Sequence, residues 1–261
     1  MNTLIFDIET IPDTELGRRL YGVEDLDDAS VAKIMFFKQR QARNTEFLPL
    51  LQHRIVALAA VLRTRDELHI FSLGEDGSEE KEIVQRFFEG IERYSPELVS
   101  WNGAGFDLPV LQYRALRHGV TAERYWEIGD QDREFRYNNY LSRFHWRHID
   151  LMDVLAGFQL GGRASLQHVA TLLGLPGKLG MSGADVWDYY RDGRYEDIER
   201  YCETDALNTY LIYLRFELMR GTLDRTRYEQ EVGRVREKIG RAEEPHWRQF
   251  SAAWQSDGDA G

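Results

Sequence analysis

Apolar positions recur along the chain in two rhythms. In TLIFDIE (3–9) Leu4, Phe6 and Ile8 stand opposite Ile5, so both faces are apolar until Asp7 and Glu9 intrude. That pattern predicts a strand in the middle of a sheet. RIVALAAVLRT (54–64) and ELHIFSL (67–73) predict two more strands, joined by a tight Arg-Asp connection as a hairpin. GEDGSEE (74–80) reads as the next turn. Helical spacing then takes over, with Ile83, Val84, Phe87, Phe88 and Ile91 predicting a helix over 81–94 that stops at Ser95-Pro96. ELVSWN predicts a strand, and LPVLQYRALRHG (108–119) a helix closing at Gly119. Helical patterns return at 164–175, in ADVWDYYRDG and over a long stretch, 194–221, with a glycine-bearing loop at Pro176–Gly183. Three strands, then a helix, a strand and a helix, indicate a mixed α/β sheet.

The polar segment 13–53 carries one helical pattern, around Val31, Ile34, Met35 and Lys38, and reads as an excursion between strands rather than a second domain. Residues 1–219 are expected to form one domain and 220–261 a helical extension ending in a disordered tail, SDGDAG. No internal repeat and no clear linker interrupts this order.

At 261 residues, 43% hydrophobic and 12% aromatic, the chain can bury a sizeable core. Its net charge of −11 argues against a surface that coats nucleic acid generally, though not against a local basic patch. A single cysteine, Cys202, forbids an internal disulfide and points to a reducing, cytoplasmic setting. No stretch approaches the roughly 18 apolar residues of a membrane span, and the N-terminus lacks the basic region of a signal peptide. The expected protein is cytoplasmic, with no membrane partner.

Three short stretches carry candidate chemistry. Asp7 and Glu9, two residues apart on a strand, project from one face. Buried there they would repel and lose hydration, which cations or hydrogen bonds relieve; placed past the strand end they would simply be solvated. In WNGAGFD, Gly103 and Gly105 permit a tight path between strand and helix, and Asp107 is either a functional carboxylate or the cap of the helix that follows. In YCETDALNTYLIYLRF, Tyr201 and Asp205 sit one helical turn apart, a phenol beside a carboxylate. A fourth stretch, DREFRYNNYLSRFHWRH, interleaves Arg133, Arg136, Arg143 and Arg147 with Phe135, Tyr137, Tyr140, Phe144 and Trp146. It is either a track for a single strand, with guanidinium for phosphate and rings for bases, or a loop anchored by its aromatics.

FDIET, NGAGFDLPVL and Tyr-x-x-x-Asp, in this order and about a hundred residues apart, resemble the tyrosine-type branch of the DEDD superfamily of 3′–5′ exonucleases. The chain looks most like the proofreading domain of family B DNA polymerases, and RHIDLMDVL with SLQHVATLLGL is similar to the stretch between that domain's second and third motifs. The likeness covers roughly residues 1–219, and the forty or so residues beyond leave no room for polymerase palm, fingers and thumb, which implies a stand-alone relative. It implies a ribonuclease H-like fold, a mixed five-stranded sheet flanked by helices. It also implies that Asp7, Glu9, Asp107 and Asp205 hold two divalent cations, Mg²⁺ or Mn²⁺, about 4 Å apart. Tyr201 would orient or help deprotonate the attacking water. Asn102 would contact the strand, and Thr10, Phe106, Arg136 and Arg143 are the further substrate-binding candidates. Asp150 matches an acid of the related domains and is assigned a structural or supporting role. The implied partner is a single-stranded 3′ end, DNA favoured over RNA.

Two other readings compete. Asp-x-Glu-x-Thr brushes against the nucleophile motif of haloacid-dehalogenase-type phosphatases, but that motif has Asp where this chain has Glu9, and Asp205 lies within a helix rather than at a strand end. A binding module of the same fold without hydrolysis is the alternative of another class; the complete set of four carboxylates and Tyr201 favours the enzyme.

Overall fold

The computed structural model describes residues 2–73 and 79–254. Most of the GEDGSEE turn and the SDGDAG tail lie outside the described residues. A five-stranded mixed sheet in the order β3-β2-β1-β4-β5 forms the centre. Its strands are β1 (Thr3–Pro12), β2 (His53–Arg63), β3 (Leu68–Leu73), β4 (Glu97–Ser100) and β5 (His148–Asp150). The predicted hairpin is present: β2 is antiparallel to both β1 and β3, whereas β4 and β5 run parallel to β1.

β1 runs three residues further than its apolar pattern suggested, through a register shift between Glu9 and Thr10. Asp7 and Glu9 therefore lie within the paired strand, opposite Ala59 and Ala57, and not in solvent beyond it. The two faces of β1 feed separate cores, as period-2 alternation demands. Leu4, Phe6 and Ile8 join Leu58, Ala60 and Leu62 beneath α3 (Glu80–Tyr94) and α4 (Asp107–His118). Ile5 and Ile11 join Ala57, Ala59 and Val61 beneath the long helix α9 (Tyr195–Met219). The alanines of β2 let that helix approach closely enough for the Cys202 thiol to donate to the Asp7 carbonyl at 3.2 Å.

The 13–53 excursion holds two helices, α1 (Thr14–Tyr21) and α2 (Asp28–Arg43), around a small core of Val31, Met35 and Leu48. α1 is absent from the sequence expectation. Its Gly17 packs so closely on α2 that a Cβ there would lie 2.5 Å from the Met35 sulfur, a constraint that exists only between elements. The shorter helices are α5 (Glu123–Trp126), α6 (Leu151–Leu155), α7 (Leu166–Leu172) and α8 (Val186–Arg191).

The expected extension is helical, as α10 (Arg225–Gly240) and α11 (Pro245–Ala253). Tyr228, Val235, Ile239, Trp247, Phe250 and Trp254 from these helices are buried in the same cluster as α9 and the sheet. They are part of the main core.

Candidate metal centre

Asp7, Glu9 and Asp205 each place one carboxylate oxygen within 4.8 Å of the others. β1 supplies the first two from its α9 face and α9 supplies the third, so helix-on-sheet packing creates the cluster. Burial is the main reason that the Asp7 and Glu9 carboxyls are pushed well above their ordinary range. Repulsion adds to it, from Asp107, Glu9 and Asp205 on Asp7, and from Asp205 on Glu9. Asp205 is raised to about 6 by burial, against the pull of Lys178 and a hydrogen bond from Tyr201. Its Oδ1 is buried without a hydrogen-bond partner. Buried carboxylate oxygens left in this condition are relieved by a cation, and oxygen donors suit a hard divalent ion. The residues present therefore fit the divalent cations that the motifs imply.

Asp107 stands one step aside from the other three acids. β4 pairs with β1 only over Thr3–Ile5, so the same edge of β1 is unpaired further on. The Ile8 N–H on that stretch is taken by Asp107 Oδ1 at 3.1 Å. Asp107 is the first residue of α4, not its cap; Phe106 occupies the cap position. Burial raises its carboxyl to about 7, against the Ile8 hydrogen bond. The structure thus brings three of the four acids into one set and keeps the fourth close enough to act on Asp7.

Tyr201 lies on the same face of α9 as Asp205, as the one-turn spacing predicted. Burial and the neighbouring carboxylates push its phenol well above 10. The phenol donates a hydrogen bond to the Asp205 carboxylate. Lys178 Nζ donates to the phenol oxygen at 2.6 Å and lies 4.0 Å from Asp205 Oδ2. Sequence reasoning missed Lys178, because a lysine in a glycine-bearing loop carries no local signal. Its position comes from long-range bonds: Gly177 exchanges hydrogen bonds with the Asn208 side chain of α9, and the Lys178 N–H binds Gln167 of α7.

The substrate candidates divide. Phe106 is half-buried beside Glu9 in one cleft. Asn102 has φ 64° in the turn after β4, and its N–H donates to Asp150 Oδ1 at 2.9 Å. Asp150 also accepts from Ala104 N–H and caps α6 through Met152 and Asp153, the structural role assigned to it. The glycines of this turn are needed for close approach: a Cβ on Gly103 would lie 2.2 Å from Ser100 Oγ. The Thr10 hydroxyl is engaged by His53 Nδ1 at 2.8 Å, so it supports the wall of the cleft.

The Arg-aromatic stretch is anchored in part, while Tyr137, Phe144 and Trp146 remain exposed. Phe135 and Tyr140 are core residues, and Arg147 is buried against Phe135 with its Nε on the Asn138 carbonyl. Arg143 is paired with the buried Asp153 at 2.8 Å, and Arg136 is exposed on a 3₁₀ turn. Neither of these arginines lines the cleft that opens on Glu9. Which of these aromatics meet a core is not revealed by their alternation with arginine.

Three likenesses to known proteins agree with this geometry. A family model described as "Predicted 3'-5' exonuclease related to the exonuclease domain of PolB" matches residues 45–254. A DNA polymerase of Archaeoglobus fulgidus is 27% identical over 154 residues, which are 58% of this chain and 19% of that protein. The solved family B DNA polymerase of the hyperthermophilic archaeon Pyrobaculum calidifontis superposes with a TM-score of 0.51 at 19% identity, covering 84% of this chain and 24% of that one. The chain thus spans about a fifth of the curated relative, and the match to the solved polymerase bears on the fold, which is the ribonuclease H-like sheet.

Proposed function

The chain belongs to the family of predicted 3′–5′ exonucleases related to the exonuclease domain of PolB; from that premise we propose that it removes nucleotides from the 3′ ends of single-stranded DNA by metal-dependent hydrolysis. The observation that carries this reading is the convergence of Asp7, Glu9 and Asp205 within 4.8 Å, with Asp107 alongside.

Hydrolysis breaks the terminal P–O3′ bond, releasing a nucleoside 5′-monophosphate and leaving a 3′-hydroxyl on the shortened strand. Negative charge grows on phosphorus-bound oxygens during that step, and a bare cluster of carboxylates would oppose it. Asp7, Glu9 and Asp205 would hold Mg²⁺ or Mn²⁺, with Asp107 completing the set for a second ion; when bound, these ions supply the charge that activates water and neutralises the leaving oxygen. Tyr201, kept neutral, aims its O–H toward the cluster, and Lys178 fixes the phenol oxygen. Asn102 and Phe106 flank the strand. The proposed catalytic residues all lie within 1–219, and α10 and α11 complete the core that supports them. The lone cysteine supports a reducing cytoplasmic setting, and among the described residues no helix is long and apolar enough to cross a membrane. DNA is favoured over RNA because both the curated and the solved relatives are DNA polymerases.

The test is a 5′-labelled single-stranded DNA and its RNA counterpart, each with Mg²⁺, Mn²⁺ or EDTA, with Asp205→Ala in parallel. A metal-dependent ladder shortening from the 3′ end of the DNA, absent in the variant, is the expected result. Binding to either strand without any ladder would replace the enzyme with a binding module.

A further inference from the structure

β3 (Leu68–Leu73) is the outermost strand of the sheet, paired with β2 over its whole length without a register shift. Among the described residues no strand lies on its other side, so that edge presents main-chain N–H and C=O groups without a ladder partner. Proteins commonly blunt such an edge with a lysine, a proline, a bulge or an inward-facing charge. The strand LHIFSL has none of these, and its one titratable side chain, His69, is bonded to Glu67 at 2.8 Å.

Both faces of β3 are apolar. Leu68 and Ile70 pack on the α9 side of the sheet, Phe71 and Leu73 on the α3 side. A cavity borders the strand on each side. One, of about 660 Å³, lies between Leu68, Ile70 and the corner where α10 meets α11. The other, of about 320 Å³, lies between Phe71, Leu73 and α3. A strand added to the edge would send successive side chains to the two sides in turn. To continue both apolar layers it must itself be apolar on both faces, and β3 meets that requirement.

Charge around the joint selects the same occupant. The larger cavity is lined by Arg234, Lys238 and Arg241 and by Glu237, Glu243 and Glu244, so the two signs balance. The chain as a whole carries a net charge of −11. Two copies that repel each other elsewhere can meet here, with both signs available for pairing across the joint. A strongly acidic or strongly basic partner would find as many like charges as opposite ones.

We propose that two copies of this chain pair through the outer edges of β3, antiparallel about a two-fold axis, joining their sheets into one of ten strands. The interface is isologous, since each β3 supplies the strand that the other edge lacks. None of the residues assigned to the metal centre lies on β3, so this pairing is independent of the exonuclease reading.

The test is sedimentation equilibrium of the full chain over about 1 to 100 µM, with amide hydrogen exchange at both ends of that range. The wild type and His69→Lys/Ile70→Lys are compared. The wild-type mass should rise from that of one chain toward twice that value, and the β3 amides should exchange more slowly as it does. The variant sets like charges across the axis and should raise the dimer Kd by roughly 100-fold or more. A mass that stays at one chain throughout overturns the proposal and leaves the edge to a strand from another protein. A dimer whose β3 amides exchange equally at both concentrations overturns it too, because another surface then forms the contact. If the variant does not fold, these wild-type results decide alone; if it folds and dimerises as tightly as the wild type, the proposal fails.

Discussion

Asp7 illustrates how a group needed for chemistry can oppose stability. Without metal, its half-buried carboxylate sits beside other acids, and loss of hydration with their charges raises its pKa. Asp7→Asn removes that repulsion at almost constant volume. The variant should therefore melt higher than the wild type in EDTA while losing cleavage by more than the roughly 10–100-fold typical of a supporting residue. A lower melting temperature, or a normal rate, would contradict the role given to Asp7. Tyr201→Phe should behave differently, slowing hydrolysis by roughly a hundredfold, as loss of one positioned donor does, while calorimetry shows metal binding intact. Spacing alone tells that Asp7 faces with Glu9 and Tyr201 with Asp205, since a strand repeats every two residues and a helix turn every four. That these form one site came from the ordered set of motifs and its resemblance. Neither signal reaches Lys178 or His53, because each is positioned by partners remote in sequence.

Elements with a strong internal period were predicted close to their observed bounds: the β2–β3 hairpin, α3, α4 ending at a left-handed Gly119, and α9. What periodicity does not convey is which helices share a core. α10 and α11 read as an appendage because their surfaces are highly charged, yet they bury Tyr228, Trp247, Phe250 and Trp254 against α9. Each such side chain contributes about 1.5–3 kcal/mol, and the sum approaches the about 5–15 kcal/mol that stabilises a whole domain. A chain stopped after Gly221 should lose its cooperative thermal transition, followed by circular dichroism. A sharp melt within a few degrees of the full chain would instead make the two helices a separable extension.

Over the whole molecule, stability is tied to pH through the convergence of acids. Asp205 is raised from 3.8 to about 6 and Asp107 from 3.8 to about 7. A carboxyl raised on folding contributes stability that is fully present below its unfolded value and is lost as pH rises through the folded one. In EDTA the melting temperature should therefore fall between pH 5 and 8. Added Mg²⁺ or Mn²⁺ should raise it more at pH 8 than at pH 5, since ligands must be ionised to bind. A metal-free melting temperature climbing steadily over that range would mean that the acids are not held together. Local patterns sufficed for the mixed α/β class and the order of most elements, because side-chain period and turn residues act over a few positions. The candidate carboxylates stood out only through the ordered set of three motifs and its resemblance. The distances among those carboxylates, the unpaired edge of β1 that engages Asp107, the Lys178–Tyr201 bond and the cleft between α2 and α8 arise only where segments far apart in the chain pack together. Packing is set by complementary surfaces, and no short stretch contains both halves of such a contact.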